Sequence, residues 1–229
     1  MDLIFDISGF SQEREEFTSS RKDVLKFLKI IGVDTRYVSY TPKKIYINNL
    51  RFSKFSRTRE ATFNRQYPDI EVVRNSLFQK ICSKSAKNLT LEIKPNSTVL
   101  MPEDNFIIEL LMEPYTRKYG VKLVYDGDYD FIVNPIVLDD EVNDIFSGIF
   151  AGDGIDFKDN ANEIFPLVNV PLDGINSFLQ MDGRDTIESV NDDELAIAFS
   201  EFLDDVAPQY KENVVSAANF IEKKLKTEK

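Results

Sequence analysis

The order of apolar runs predicts an α/β protein, a three-layer domain on a mainly parallel sheet followed by a helical C-terminal extension. Three observations carry this. Short strand-like runs alternate with helical stripes over residues 1–154, the pattern of strands joined by helical crossovers. Beyond Gly154 the pattern becomes helix after helix. At 229 residues and 42% hydrophobic, the chain is also long and apolar enough for a sizeable core. The expected division is therefore an α/β domain over 1–154 and an extension over 155–229.

Leu3-Ile4-Phe5-Asp6-Ile7 reads as a buried strand ending at Ser8-Gly9. A helix follows over 20–31, with Val24, Phe27, Leu28 and Ile31 on one face, Ser19 or Ser20 as cap and Gly32 as left-handed stop. Strands at 36–40 and 44–47 flank Thr41-Pro42-Lys43, and a helix is expected over 70–83. Residues 89–93 and 98–101 alternate like strands around the turn Pro95-Asn96. Helix 105–119 places Ile107, Ile108, Leu111, Met112 and Tyr115 on one face, and Gly120 closes it. Strands at 121–125 and 130–137 flank Gly127-Asp128. The next helix starts at Asp139-Asp140, carries Val142, Ile145, Phe146, Ile149 and Phe150 inward, and stops at Gly152. The proline-bracketed segment 164–171 leads to helices over 172–181, 192–206 and 209–226. The last two carry stripes of Leu195, Ala198, Phe199, Phe202, Leu203 and of Val214, Ala217, Ala218, Ile221, Leu225.

Composition narrows the chemistry. The chain has no His and one Cys, Cys82, which excludes disulfides, Cys-rich zinc and iron–sulfur sites and His-based acid–base schemes. Carboxylates, Lys/Arg, hydroxyls, backbone amides and a hard metal such as Mg²⁺ remain. No window of about 18 apolar residues exists and the N-terminus is acidic within a few residues, so no membrane contact and a cytoplasmic location are expected. The net charge of -11 is divided: residues 1–100 hold 18 Lys+Arg against 11 Asp+Glu, and residues 101–229 hold 10 against 28. A basic half attracts phosphates, or pairs with the acidic half of a protein partner or of a second copy in a homodimer.

One stretch is the most specific. Ile136-Val137-Leu138-Asp139-Asp140-Glu141-Val142 runs from a strand into a helix, and Gly152-Asp153 ends that helix. With Phe165-Pro166-Leu167-Val168-Asn169-Val170-Pro171 and the late helices, it resembles the PP-loop ATP pyrophosphatase superfamily, most closely the tRNA 2-thiolation and tRNA-lysidine synthase branches. The likeness covers 105–225. It implies an adenine nucleotide alpha hydrolase-like fold, ATP and Mg²⁺ as cofactors, and adenylation of a tRNA base. Carried over residue by residue, Ser8, Gly9, Ser19, Ser20, Lys22 and Asp23 would meet ATP, Asp139 and Asp140 would lie near the metal, and Gly152-Asp153 would close the site. The chain departs from the family in three places: paired glycines are missing after the first strand, Pro135-Ile136-Val137 replaces the polar tripeptide before Leu-Asp-Asp, and Ala151 replaces an arginine. The implied protein is thus either ATP-binding or a pseudoenzyme partner of an active paralogue. Without the resemblance, Asp139 and Asp140 read as ordinary helix-start acids and Ser19/Ser20 as an N-cap. A protein-interaction subunit without nucleotide chemistry is the alternative function.

Residues 43–65 hold a second signal. Arg51, Lys54, Arg57 and Arg59 interleave with Phe52, Phe55 and Phe63. Such a segment contacts tRNA through phosphates and stacked bases, or buries its rings and leaves its cations in water. The acidic turn at 126–130 lacks the Glu that would complete a calcium loop.

Overall fold

The computed structural model describes residues 20–155, 162–207 and 209–227. Helix α1 (Arg21–Ile30) starts where the Ser20 hydroxyl accepts the Lys22 N–H and ends before Gly32, whose φ of 82° suits a residue without Cβ. A 3-10 turn (Thr35–Tyr37) leads into β1 (Val38–Tyr40), antiparallel to β2 (Lys44–Ile47). Helices α2 (Leu50–Ser53) and α3 (Arg57–Gln66) follow, and then β3 (Glu71–Val73), parallel to β2. In this three-stranded sheet Ile45 and Ile47 pack with Val24, Leu28, Phe55 and Phe63. Tyr46, one residue out of phase, turns to the opposite face and meets Phe78, Phe106 and Phe178.

A second sheet holds β4 (Thr98–Leu100), β5 (Lys122–Val124), β6 (Phe131–Val133) and β7 (Glu163–Ile164), all parallel, in the order β5-β4-β6-β7. The chain is thus α/β, with helices flanking a parallel sheet and a helical C-terminal region. The flanking helices are α4 (Ser76–Glu92), α5 (Phe106–Met112), α6 (Tyr115–Lys118), α7 (Leu138–Ala151) and α8 (Leu172–Met181). Helices α9 (Glu194–Val206) and α10 (Tyr210–Thr227) pack on α7 around Val142, Phe146, Ala196, Tyr210 and Val215. The crossover from β5 to β6 has no helix. Strands of three residues are only about 10 Å long, so the residues 125–130 can make the return. Asp130 anchors it by accepting the Thr98 N–H at 2.7 Å.

Several expectations are corrected. The segment 70–83 is not one helix, because Val72 and Val73 pair with Ile45 and Tyr46 before α4 begins at Ser76. Residues 89–92 are the end of α4, not a strand. Phe78, Ile81, Ser85 and Leu89 fall on one helical face, and Leu91, which alternation would bury, is 86% exposed. The helix at 105–119 breaks at Glu113-Pro114 into α5 and α6, as proline cannot supply the interior N–H. Strand β7 lies beyond residue 154, so the sheet draws on both sides of that boundary. The strand expected at 3–7 lies outside the described residues, and β6 is flanked by β4 and β7.

Candidate functional site

Among the described strands the parallel sheet has one topological switch point. Strand β4 connects onward to β5 on one side, and β6 connects through α7 to β7 on the other, so the crevice outside the carboxyl ends of β4 and β6 is where an open α/β sheet receives a ligand. Two loops border it, Met101-Pro102-Glu103-Asp104-Asn105 after β4 and Asn134-Pro135-Ile136-Val137 after β6. The first carries no glycine, and its exposed Glu103 and Asp104 would repel phosphate. Asn105 is committed to capping α5, accepting the Ile108 N–H.

Asp139 and Asp140 open α7 beside this crevice, as the sequence predicts, but protein donors hold both. Asp139 accepts the Leu172 N–H at 2.6 Å and the Lys211 ammonium at 2.9 Å, tying α7 to α8 and α10. Burial works against the Lys211 charge, yet its hydrogen bonds to Asp139 and Asp204 prevail and hold its pKa above the usual lysine range. Asp140, 2% exposed, reaches back to the Val137 N–H at 3.3 Å and takes the Ser189 hydroxyl at 2.5 Å and the Val190 N–H at 2.9 Å. Among the described residues no group of three or more His, Cys, Asp or Glu is placed to hold a metal ion. Both carboxylates are thus engaged by donors of the protein itself.

The other expected nucleotide contacts are dispersed. Ser8, Gly9 and Ser19 lie outside the described residues. Ser20, Lys22 and Asp23 sit at the start of α1, whose Val24 and Leu28 belong to the core of the three-stranded sheet. Gly152 and Asp153 lie past the far end of the 14-residue α7, about 20 Å along the helix from Asp139. Their geometry is that of a helix stop: Gly152 has φ 82°, and the Asp153 and Gly154 N–H groups close on the Gly148 carbonyl. Gly148 must be glycine because a Cβ there would stand 2.3 Å from the Gly154 oxygen.

The basic segment forms a face of its own. Phe55 and Phe63 are buried, so two of its rings are core, while Phe52 is half-exposed and leans on Tyr37. Lys54 takes the left-handed conformation that turns α2 into α3, and Ser56 caps α3 by accepting the Arg59 N–H. Arg59 donates to the Lys54 carbonyl and lies against Gly32, and Arg74 donates to Glu60 and to the Phe55 carbonyl at 2.6 Å each. Those two guanidiniums brace the turn. Arg51, Lys54 and Arg57 project outward, with Arg57 79% exposed beside Glu60. Lys54 and Arg57, with Arg59 and Arg74, border an open depression of about 690 Å³ that Ser76 and Gln79 complete.

Sequence reasoning missed Asp182, a buried carboxylate that takes Lys44 at 2.8 Å, the Tyr46 hydroxyl at 2.8 Å and Arg184 at 3.2 Å. Arg184 stacks on Phe106 at 3.4 Å. Periodicity holds no signal for partners so far apart in the chain.

No known family profile matches the chain, and no curated protein matches it. Among solved structures it is similar to the U34-tRNA thiolase NcsA from Methanococcus maripaludis, described with its 4Fe–4S cluster, at 13% identity and a TM-score of 0.48. That likeness covers 69% of this chain and 83% of the thiolase chain. It is distant, and the functional reading rests on this chain's own residues.

Proposed function

We propose that this protein is a non-catalytic PP-loop-like protein that contacts RNA through the α2–α3 face and serves tRNA modification beside an active enzyme. The observation that carries the reading is the commitment of Asp139 and Asp140 to protein donors, beside a glycine-free acidic loop, while Arg51, Lys54 and Arg57 project from a separate basic face. The choice of tRNA rests on the motif resemblance around Leu138–Asp153, which supplies no nucleotide step here.

The test combines two measurements. RNA binding is followed across a salt series for the wild type and for a variant carrying Arg51→Ala, Lys54→Ala and Arg57→Ala, with Arg59 and Arg74 kept as braces. The log–log salt slope should shrink by about 0.7–0.9 for each phosphate contact removed. Thermal unfolding with millimolar ATP and Mg²⁺ should show no shift, whereas a ligand at about 100 times its Kd adds about 2.7 kcal/mol. Negligible RNA binding at low salt, or an ATP-dependent shift, overturns the reading.

A second reading, a protein-interaction subunit, is favoured by one observation. Leu195, Phe202 and Val206 form an exposed stripe on α9, and Phe220, Ile221 and Leu225 are exposed on α10. Particle mass in solution tests self-association through that face.

A further inference from the structure

Between the three-stranded sheet and the helices of the parallel sheet lies a cavity of about 240 Å³. Tyr37, Asn48, Asn49 and Phe52 line it from one side, and α4, Leu111 and α6 from the other. Its polar groups share one character. The Ser85 hydroxyl is buried, in a residue 1% exposed, and has no hydrogen-bond partner. The side-chain oxygens of Asn48 and Asn49 are occupied, by the Ser39 hydroxyl and the Phe52 N–H at 3.0 Å each. Their NH₂ groups make no hydrogen bond among the described residues. The Lys118 ammonium sits between the ring faces of Tyr37 and Tyr115, 4.9 and 4.8 Å from their centroids, with no ion pair among the described residues. Each of these groups can donate, and no Asp or Glu lines the cavity.

An unsatisfied buried donor is costly, and a desolvated cation without a counter-ion more so. Burial, the largest influence, holds the Lys118 pKa below its ordinary value against the weaker opposing pull of Cys82 and Asp34. One cation calls for one negative charge. The walls are flat and apolar at Phe52, Tyr115, Leu89 and Leu111. The volume falls below the roughly 300–1,000 Å³ of drug-sized pockets, which suits a ligand of about ten heavy atoms.

We propose that this cavity is a binding site for a small aromatic monocarboxylate, its carboxylate on Lys118, Ser85 and the asparagine amides and its ring against the Tyr and Phe walls. Binding is reversible, because a carboxylate offers the Cys82 thiol no activated carbon to attack. The site is independent of the RNA reading.

The experiment is calorimetric and ligand-observed NMR titration of the full chain with benzoate, 4-hydroxybenzoate and cinnamate, with benzamide as the neutral isostere. At least one carboxylate should saturate below 5 mM, with benzamide at least tenfold weaker. Lys118→Met should weaken that carboxylate at least tenfold, and Ala86→Phe, which fills the cavity, should abolish it. Ser85→Ala should weaken binding several-fold without lowering the melting temperature of the free protein, since it deletes an unsatisfied hydroxyl. Should Lys118→Met fail to fold, Ser85→Ala and Ala86→Phe decide. Three results would overturn the proposal: no binding of any carboxylate at 10 mM, equal binding of benzamide, or unchanged binding in Ala86→Phe.

Discussion

Asp140 allows a structural carboxylate to be told apart from a metal ligand by stability alone. Its side chain accepts from the Val137 N–H, the Ser189 hydroxyl and the Val190 N–H, and it is almost fully buried. Asp140→Ala removes three hydrogen bonds to a charged acceptor and leaves their donors to find water. At a net worth of about 1–1.5 kcal/mol each, discounted from the usual range because the 189–190 loop is partly solvated, the loss is about 3–4 kcal/mol. Asp140→Asn keeps one oxygen but turns an NH₂ toward a donor, and should cost about 2 kcal/mol. The assay is urea unfolding at pH 7, with and without 5 mM Mg²⁺. The structural role predicts the order wild type, Asn, Ala in falling stability, with no effect of Mg²⁺ on any of the three. A loss below about 1 kcal/mol for Ala, or a Mg²⁺-dependent gain in the wild type that vanishes in both variants, would refute the reasoning.

Two further outcomes follow from the packing and the charges. Phe146, buried among Phe150, Phe199 and Tyr210, should cost about 3–5 kcal/mol when truncated to Ala, read as a lowered denaturation midpoint; a loss under 1 kcal/mol would mean that α9 and α10 do not cover α7. Burial raises the Glu92 carboxyl above its ordinary pKa, against the opposing hydrogen bond from the Phe165 N–H at 2.9 Å. Between the ordinary value and the raised one the folded state holds the extra proton, so stability is highest below that window and falls as pH rises through it. Glu92→Gln keeps an acceptor for Phe165 and should therefore raise the melting temperature relative to wild type more at pH 7 than at pH 4; an equal difference at both would show that the group is not desolvated.

The sequence by itself determined the local grammar of this protein. Caps and stops such as Ser20, Gly32 and Gly152 were legible because their function is complete within four residues. The inward stripe Val142, Ile145, Phe146 was legible for the same reason, although Ile149 and Phe150 at its end are half-exposed. The stripes of the last two helices were only partly placed: Phe199, Leu203, Val214 and Ala218 pack on α7 as expected, but α9 also buries Ala196 and Ser200 while Leu195, Phe202, Ile221 and Leu225 stay exposed, because hydrophobicity alone sets only that a face exists, and the neighbour sets which one is covered. Strand partners were hidden too. β3 is a strand only because β2 lies beside it, and the neighbours of β6 are decided by pairings across the chain rather than by its own residues. The site divides in the same way. Two adjacent acids at a helix start are visible in one dimension, and so is a run of cations with aromatics between them. Whether those acids are free depends on Leu172, Ser189, Val190 and Lys211, and whether a ring is core or exposed depends on which side of the α2–α3 turn it leaves. A carboxylate's chemistry is set by the donors within about 3 Å of it, and for Asp139 and Asp140 those beyond the Val137 N–H arrive from 33 to 72 residues away.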